Sequence, residues 1–167
     1  QNPSANLDRI MNAYCFAATI ASIGAIVGYF GLAGSISDVL TLYGGRAKSF
    51  FKDPNVLGPF LVAPALFSVH MLLYGRSRAR IWAAGVIFLC CVAVFLTFSR
   101  GAWGHLVASG LAYGYLAFIT AKNIKERFRL LLIAIVGLCL IVSAGIGALS
   151  FKKVSTLFEE RASLTQT

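Results

Sequence analysis

The hydrophobic residues of this chain fall into five long, almost uncharged runs separated by short polar segments. Each run is about 18–23 residues long, the length a helix needs to cross roughly 30 Å of hydrocarbon. We therefore expect an all-α, polytopic membrane helix bundle, with residues 1–167 forming a single membrane domain. The predicted spans are residues 11–33, 55–74, 81–98, 102–121 and 130–150.

Composition favours a membrane protein over a soluble domain. Of the 167 residues, 58% are hydrophobic and only 13% are charged, and the mean hydropathy is +0.78. A soluble domain of this size could not bury so much apolar surface. If the five runs were buried core helices instead, almost no polar surface would remain to cover them.

Basic residues in two short loops predict the orientation. The loops are GRSRAR at 75–80 and KNIKERFR at 122–129, and they lie two predicted spans apart, so they face the same side. Lysine and arginine concentrate in cytoplasmic loops, so that side is expected to be the cytoplasm. The amino-terminal tail then faces the cytoplasm as well. The segments expected on the outer side are 34–53, 99–101 and the tail after residue 150.

A basic cluster on the outer side runs against this charge bias. Arg46, Lys48 and Lys52 lie in GGRAKSFFKDPNVLGPF, and Arg100, in TFSRGAW, is expected on the same face. The cluster indicates an anionic partner, and the planar fork of arginine binds diphosphate oxygens in pairs. Arg46 and Arg100 therefore rank above the two lysines as diphosphate ligands. Arg100 is also explained as an interface anchor reaching water, and Arg46 as a solvated loop charge.

Two predicted helices begin beside these cations. Asp53 suits an N-cap, Pro54 suits the first helical position, and Ser99 suits the cap before Arg100. Helix N-termini present N–H groups and partial positive charge, which favour a phosphate or diphosphate. Asp53 weakens this effect at its own helix, because its carboxylate would occupy those N–H groups.

Other candidate chemistry is sparse, and we expect no metal, no cofactor and no nucleic-acid partner. His70 and His105 lie inside predicted spans and are expected to be hydrogen-bonded packing residues, although ionisable groups there are often functional. No paired carboxylates lie inside the spans, which argues against a proton-coupled carrier. The cysteines lack metal-ligand spacing and are expected to pack as small apolar residues. They are Cys15, Cys90, Cys91 and Cys139.

Glycines four residues apart recur in two predicted spans. Gly24 and Gly28 lie in the first, and Gly110 and Gly114 in the fourth. This spacing is typical of seams where two membrane helices approach closely. Glycine is also common in membrane helices generally, so both interpretations stay open.

Two segments resemble signatures of the O-antigen ligase and O-antigen polymerase family. GRAKSFFKDPNVLGPF resembles its R-A-x-G-T-F-x-D/N-P-N segment, and LTFSRGAW resembles its Ser-Arg-Gly at the end of a span. One helical hairpin separates the two segments, as in that family, and ERASL-x-Q resembles the entry to the family's large periplasmic loop. Ser49 and Phe50 depart from the pattern, because the family usually has Gly-Thr there.

The resemblance implies a bacterial inner-membrane enzyme acting at the periplasmic face. Such enzymes take a glycan from undecaprenyl diphosphate; ligases pass it to lipid A–core, and polymerases extend a growing glycan. By the resemblance, Arg46 and Arg100 bind the diphosphate, with Lys48 and Lys52 nearby. The catalytic residues are unknown, since the expected base lies beyond Thr167. We therefore expect a fragment of a longer ligase-like domain that is inactive alone.

Two other functions fit the same pattern. A transporter or flippase component for an anionic lipid-linked substrate would need the same cations, but also broken helices or mid-membrane charges. Only Pro64, in the second span, is expected to kink a helix. A non-catalytic membrane scaffold would tolerate changes at Arg46 and Arg100.

A cysteine placed at Lys48 tests the predicted orientation. Lys48→Cys should react with a membrane-impermeant thiol reagent added from the outer side, because residues 34–53 are expected there. Labelling only from the cytoplasmic side would overturn the orientation.

Overall fold

The structure, a computed structural model, describes residues 3–42, 45–128, 130–132 and 135 and is mostly helical. Residues 1–113 form one compact unit and residues 114–167 a second. The second unit contains the end of the last long helix and helical residues at 124–128, 130–132 and 135. The elements in chain order are α1 (Pro3–Tyr29), α2 (Ile36–Leu40), β1 (Thr41–Leu42), β2 (Arg46–Ala47), α3 (Pro54–Tyr74), α4 (Ser77–Leu96) and α5 (Arg100–Thr120).

A helical bundle is confirmed, and three of the predicted spans form helices long and apolar enough to cross a membrane. These are Ala5–Tyr29, Pro54–Tyr74 and Ser77–Leu96. The fourth predicted span forms α5, which is long enough but is not among those three, since glycines, tyrosines and a histidine interrupt its aliphatic residues. The fifth, 130–150, lies largely outside the described residues. The first helix also begins earlier and ends earlier than predicted.

Small residues let α1 pack closely against α3 and α4. The α3–α4 pair is an antiparallel hairpin with a two-residue connection, and α1 contacts both helices. The α1 residues Cys15, Ala18, Ser22 and Ala25 are fully buried, and their spacing of three or four places them on one face. Small side chains on such a face allow backbones to approach, which is how helices pack where lipid provides no hydrophobic drive.

Pro64 leaves a carbonyl of α3 without its helical partner, and α1 replaces that partner. Proline has no N–H, so the carbonyl of Phe60, four residues earlier, loses its usual bond. The Tyr14 hydroxyl donates to the Phe60 carbonyl oxygen at 2.7 Å, and the two rings lie 4.9 Å apart. The Cys15 thiol donates to the Pro64 carbonyl oxygen at 3.7 Å. As a result, α3 continues through Pro64.

The cysteines in the described residues occupy packing positions, as predicted. Cys15 and Cys90 are buried, and their sulfur atoms lie 3.6 Å from Ser68 Oγ and 3.8 Å from Ser22 Oγ. The third, Cys91, is partly buried, and all three are free thiols. Cys139 lies outside the described residues.

Gly24 and Gly28 of α1 contact the connection between α1 and α3, and not another long helix. A Cβ at Gly24 would lie 2.6 Å from Ser49 Oγ, and one at Gly28 would lie 2.5 Å from Leu40 Cβ. Any larger residue at either position would push this connection away. Among the described residues, Gly110 and Gly114 face no close neighbour, since no described atom lies within 4 Å of a Cβ built there.

Tyr14→Phe should lower the free energy of unfolding by about 0.5–1.5 kcal/mol, because it leaves the Phe60 carbonyl unpaired. In a Pro64→Ala background the same change should cost much less, because alanine restores the backbone N–H that the Phe60 carbonyl lacks. A double-mutant cycle on thermal melting in detergent measures this coupling. Equal costs in both backgrounds would contradict the pairing.

Candidate functional site

The described residues of two segments predicted to face outward, 34–53 and 99–101, gather at one end of the first unit. The tail after residue 150, also predicted to face outward, lies outside the described residues. The short antiparallel strands β1 and β2 pair Thr41 with Ala47 and Leu42 with Arg46, and α2 leads into them. This connection lies against the carboxyl-terminal half of α1, close to the start of α3. We call this end, with its residues Arg46, Lys48, Lys52 and Arg100, the basic end.

Arg46 joins the two motifs. Its Nε donates to the carbonyl oxygen of Thr97 at 2.9 Å, and its Nη2 donates to Asn55 Oδ1 at 3.1 Å. Thr97 immediately follows α4, and Asn55 lies in the first turn of α3. The half-buried guanidinium therefore ties three elements together and is not merely a solvated loop charge.

The start of α3 orients this arginine. Asp53 is the N-cap and Pro54 the first helical residue, as predicted, and Asp53 Oδ1 accepts from the Asn55 backbone N–H at 2.6 Å. Because Asn55 is held by its backbone, its side-chain oxygen is a fixed acceptor for Arg46. The Asp53 carboxylate also occupies a first-turn N–H group, which makes this helix end less suitable for a ligand anion.

The start of α5 is capped by uncharged groups. Ser99 Oγ accepts from the Ala102 N–H at 3.3 Å, which confirms the predicted cap. Thr97 Oγ1 donates to the Val94 carbonyl oxygen at 2.7 Å and accepts from the Ser99 N–H at 3.2 Å. The capping hydroxyls of Ser99 and Thr97 add no negative charge at this helix end. Arg100, the first residue of α5, is exposed.

Aromatic side chains fix the turn between α4 and α5. Phe98 has a φ of 49° and is buried, with its ring 6.3 Å from Tyr29 and 6.4 Å from Trp103. Trp103 stacks on Phe95 at 5.6 Å, and its Nε1 donates to the Val94 carbonyl oxygen at 3.1 Å. The backbone beside Arg100 is therefore held by packing on both sides.

The two lysines occupy different surroundings at the basic end. Lys48 is half-buried, and its backbone N–H donates to the Leu40 carbonyl oxygen at 3.0 Å, whereas Lys52 is exposed. Neither lysine side chain has a hydrogen-bond or ion-pair partner within the described part of the chain. Their charges are thus uncompensated by the described residues.

The two histidines have different surroundings. His70 Nδ1 lies 3.1 Å from the Tyr113 hydroxyl, and its ring is 4.9 Å from that of Tyr74. The expected hydrogen bond of His70 is therefore present, but its side chain is exposed and not packed in the core. His105 is exposed on α5.

Two functional-site residues were missed by sequence reasoning. Asn55 and Thr97 accept the Arg46 hydrogen bonds, and neither was ranked as a site residue. Their positions inside the two motifs, DPN and TFSRG, are the signal that could have identified them.

Comparison with known proteins identifies no relative. The chain matches no protein-family model, no curated protein and no solved structure. Its function is therefore argued from the basic end and from the two motifs that meet there.

Ser49 adopts a backbone conformation that favours glycine. Its φ is 52°, it is almost fully buried, and its Oγ has no hydrogen-bond partner in the described part of the chain. Serine at this position therefore carries a Cβ in a left-handed backbone conformation.

Ser49→Gly should stabilise the protein by about 1 kcal/mol, because it removes both the left-handed strain and the unpaired hydroxyl. Ser49→Ala is the matched control, since it removes the hydroxyl but keeps the strained Cβ, and it should stabilise less. Thermal melting in detergent measures both changes. A glycine variant that melts below the alanine variant would contradict the strain argument.

Proposed function

We propose that this chain is part of a bacterial inner-membrane enzyme that transfers or polymerises a glycan from undecaprenyl diphosphate. The acceptor is lipid A–core or a growing glycan. The observation that supports this proposal is the contact between the motifs: Arg46 of the first donates to Thr97 of the second, 51 residues away. Segments that resemble two signatures of one family thus form a single surface.

The proposed membrane placement puts the basic end at the periplasmic face. In this arrangement α1, α3 and α4 cross the bilayer, and α5 and residues 130–150 supply the two further spans. The basic end then lies where the long helices meet the headgroup region. A lipid-linked diphosphate lies at the same depth, within reach of the exposed Lys52 and Arg100.

The charges suit a departing diphosphate. In glycan transfer, an acceptor hydroxyl attacks the anomeric carbon while the bond from that carbon to the diphosphate oxygen breaks. Fixed cations stabilise the negative charge that develops on the leaving group. The two bonds to Thr97 and Asn55 orient the Arg46 guanidinium. The hydroxyl proton needs a base, and we assign that role to no described residue.

The continuity of α3 supports an enzyme over a transporter. A transporter would be expected to use interrupted helices or mid-membrane charges. Instead, α3 runs unbroken from Pro54 to Tyr74 through two internal prolines and contains no Asp, Glu, Lys or Arg. The Phe60 carbonyl, which Pro64 leaves without a helical partner, accepts from the Tyr14 hydroxyl.

Arg100→Ala in the full-length protein should reduce glycan transfer roughly 10²–10³-fold, as expected for losing a group that stabilises the leaving charge. Arg100→Lys should recover part of the loss, because lysine keeps the charge but not the paired donors. Transfer is measured in membranes with equal amounts of each variant.

The matched control is Lys125→Ala, which removes an exposed cation outside both motifs and should leave transfer unchanged. Undiminished transfer by Arg100→Ala would exclude the diphosphate role for this residue. If Arg46→Ala also kept full transfer in correctly folded protein, the scaffold function would be favoured instead.

A further inference from the structure

The hairpin that connects α3 and α4 carries a second, separate basic patch. α3 begins at the basic end and finishes at Tyr74, so this connection lies at its opposite end. Arg76, Arg78 and Arg80 are all exposed there. We call these three arginines, with Tyr74 and Trp82 beside them, the hairpin patch.

No described acid forms an ion pair with the arginines of the hairpin patch. Arg76 and Arg78 have no side-chain hydrogen-bond or ion-pair partner among the described residues, and Arg80 Nε donates to the Gly75 carbonyl oxygen at 2.9 Å. The sequence contains no Asp or Glu between Asp53 and Glu126. Exposed guanidinium groups in this arrangement favour an external anion.

The basic segment at 122–129 differs from the hairpin patch in two ways: it contains an acidic residue, and one of its arginines contacts an aromatic ring. At 122–129 it contains its own acid, Glu126, whose carboxylate accepts from the Lys122 backbone N–H at 3.2 Å. Arg127 there lies 5.4 Å from the centre of the Phe118 ring. Residues 74–82, by contrast, contain no Asp or Glu.

Apolar side chains next to the arginines indicate what kind of anion fits. Tyr74 is 49% exposed, Trp82 is 43% exposed and Ile81 is 75% exposed. Aromatic residues at the ends of membrane helices lie at headgroup depth, and arginine stems reach from there to phosphate groups. An anion with an apolar tail matches this combination better than a soluble anion does.

We propose that the hairpin patch binds the headgroup phosphate of an anionic phospholipid. The inference rests on the membrane placement given under the proposed function, but not on glycan transfer. Arg76 and Arg78 supply the charge, Arg80 braces the turn through Gly75, and Trp82 lies beside the acyl chains. The site is distinct from the diphosphate site at the basic end.

Tryptophan quenching by brominated lipids tests this proposal. The chain contains two tryptophans, so Trp103→Phe leaves Trp82 as the reporter. The protein is reconstituted in phosphatidylcholine bilayers containing acyl-brominated phosphatidylglycerol or acyl-brominated phosphatidylcholine. Phosphatidylglycerol should quench Trp82 at a several-fold lower mole fraction than phosphatidylcholine. Arg76→Gln with Arg78→Gln should reduce this preference, by roughly five-fold per arginine at most.

The matched control is Lys122→Gln with Lys125→Gln, which removes the same charge from exposed positions elsewhere and should keep the preference. Equal quenching by the two lipids in the parent protein would overturn the proposal. An equal loss of the lipid preference in both double variants would also overturn the proposal, because the attraction would then come from the overall charge of the protein and not from a site. Circular dichroism confirms that each variant is folded.

Glycan transfer by the Arg76→Gln, Arg78→Gln variant separates this proposal from the proposed function. Loss of lipid preference in this variant with transfer retained supports both the lipid site and its independence. A parent protein without lipid preference that still transfers glycan overturns the lipid site alone. Failure to insert into neutral bilayers contradicts the membrane placement on which both proposals depend.

Discussion

The rest of the basic end depends on the pair of hydrogen bonds made by Arg46. One bond reaches the backbone carbonyl of Thr97 just after α4, and the other reaches the side chain of Asn55 at the start of α3. A single planar guanidinium can make both because its donors point in fixed, separate directions. Lysine, with one rotatable ammonium group, could not hold both elements in this geometry.

The same physical rule operates deeper in the bundle. A backbone carbonyl without a helical partner is costly in an apolar environment, so a neighbouring element must supply a donor. At Phe60 the donor is the Tyr14 hydroxyl, and at Thr97 it is Arg46. The first contact lets a helix continue through proline, and the second brings a cation to the surface where two helices begin.

Local features of the fold were predictable from the sequence, and tertiary ones were not. The extent of α3 and the caps at Asp53 and Ser99 follow from short-range preferences of proline and of polar side chains. The partners of Arg46 could not be inferred, because one is a backbone carbonyl 51 residues away. The spacing of Gly24 and Gly28 left a close contact at Gly24 as one of two interpretations, and its partner, Ser49, depends on how the connection folds back onto α1.

The basic end is proposed to recognise a lipid-linked diphosphate. Native mass spectrometry of the protein in detergent, with a polyprenyl diphosphate, the matching monophosphate and the neutral polyprenol, tests it most directly. The account predicts that the diphosphate binds most tightly, since paired phosphates can engage several fixed cations at once. Equal binding of the diphosphate and the neutral polyprenol would contradict it.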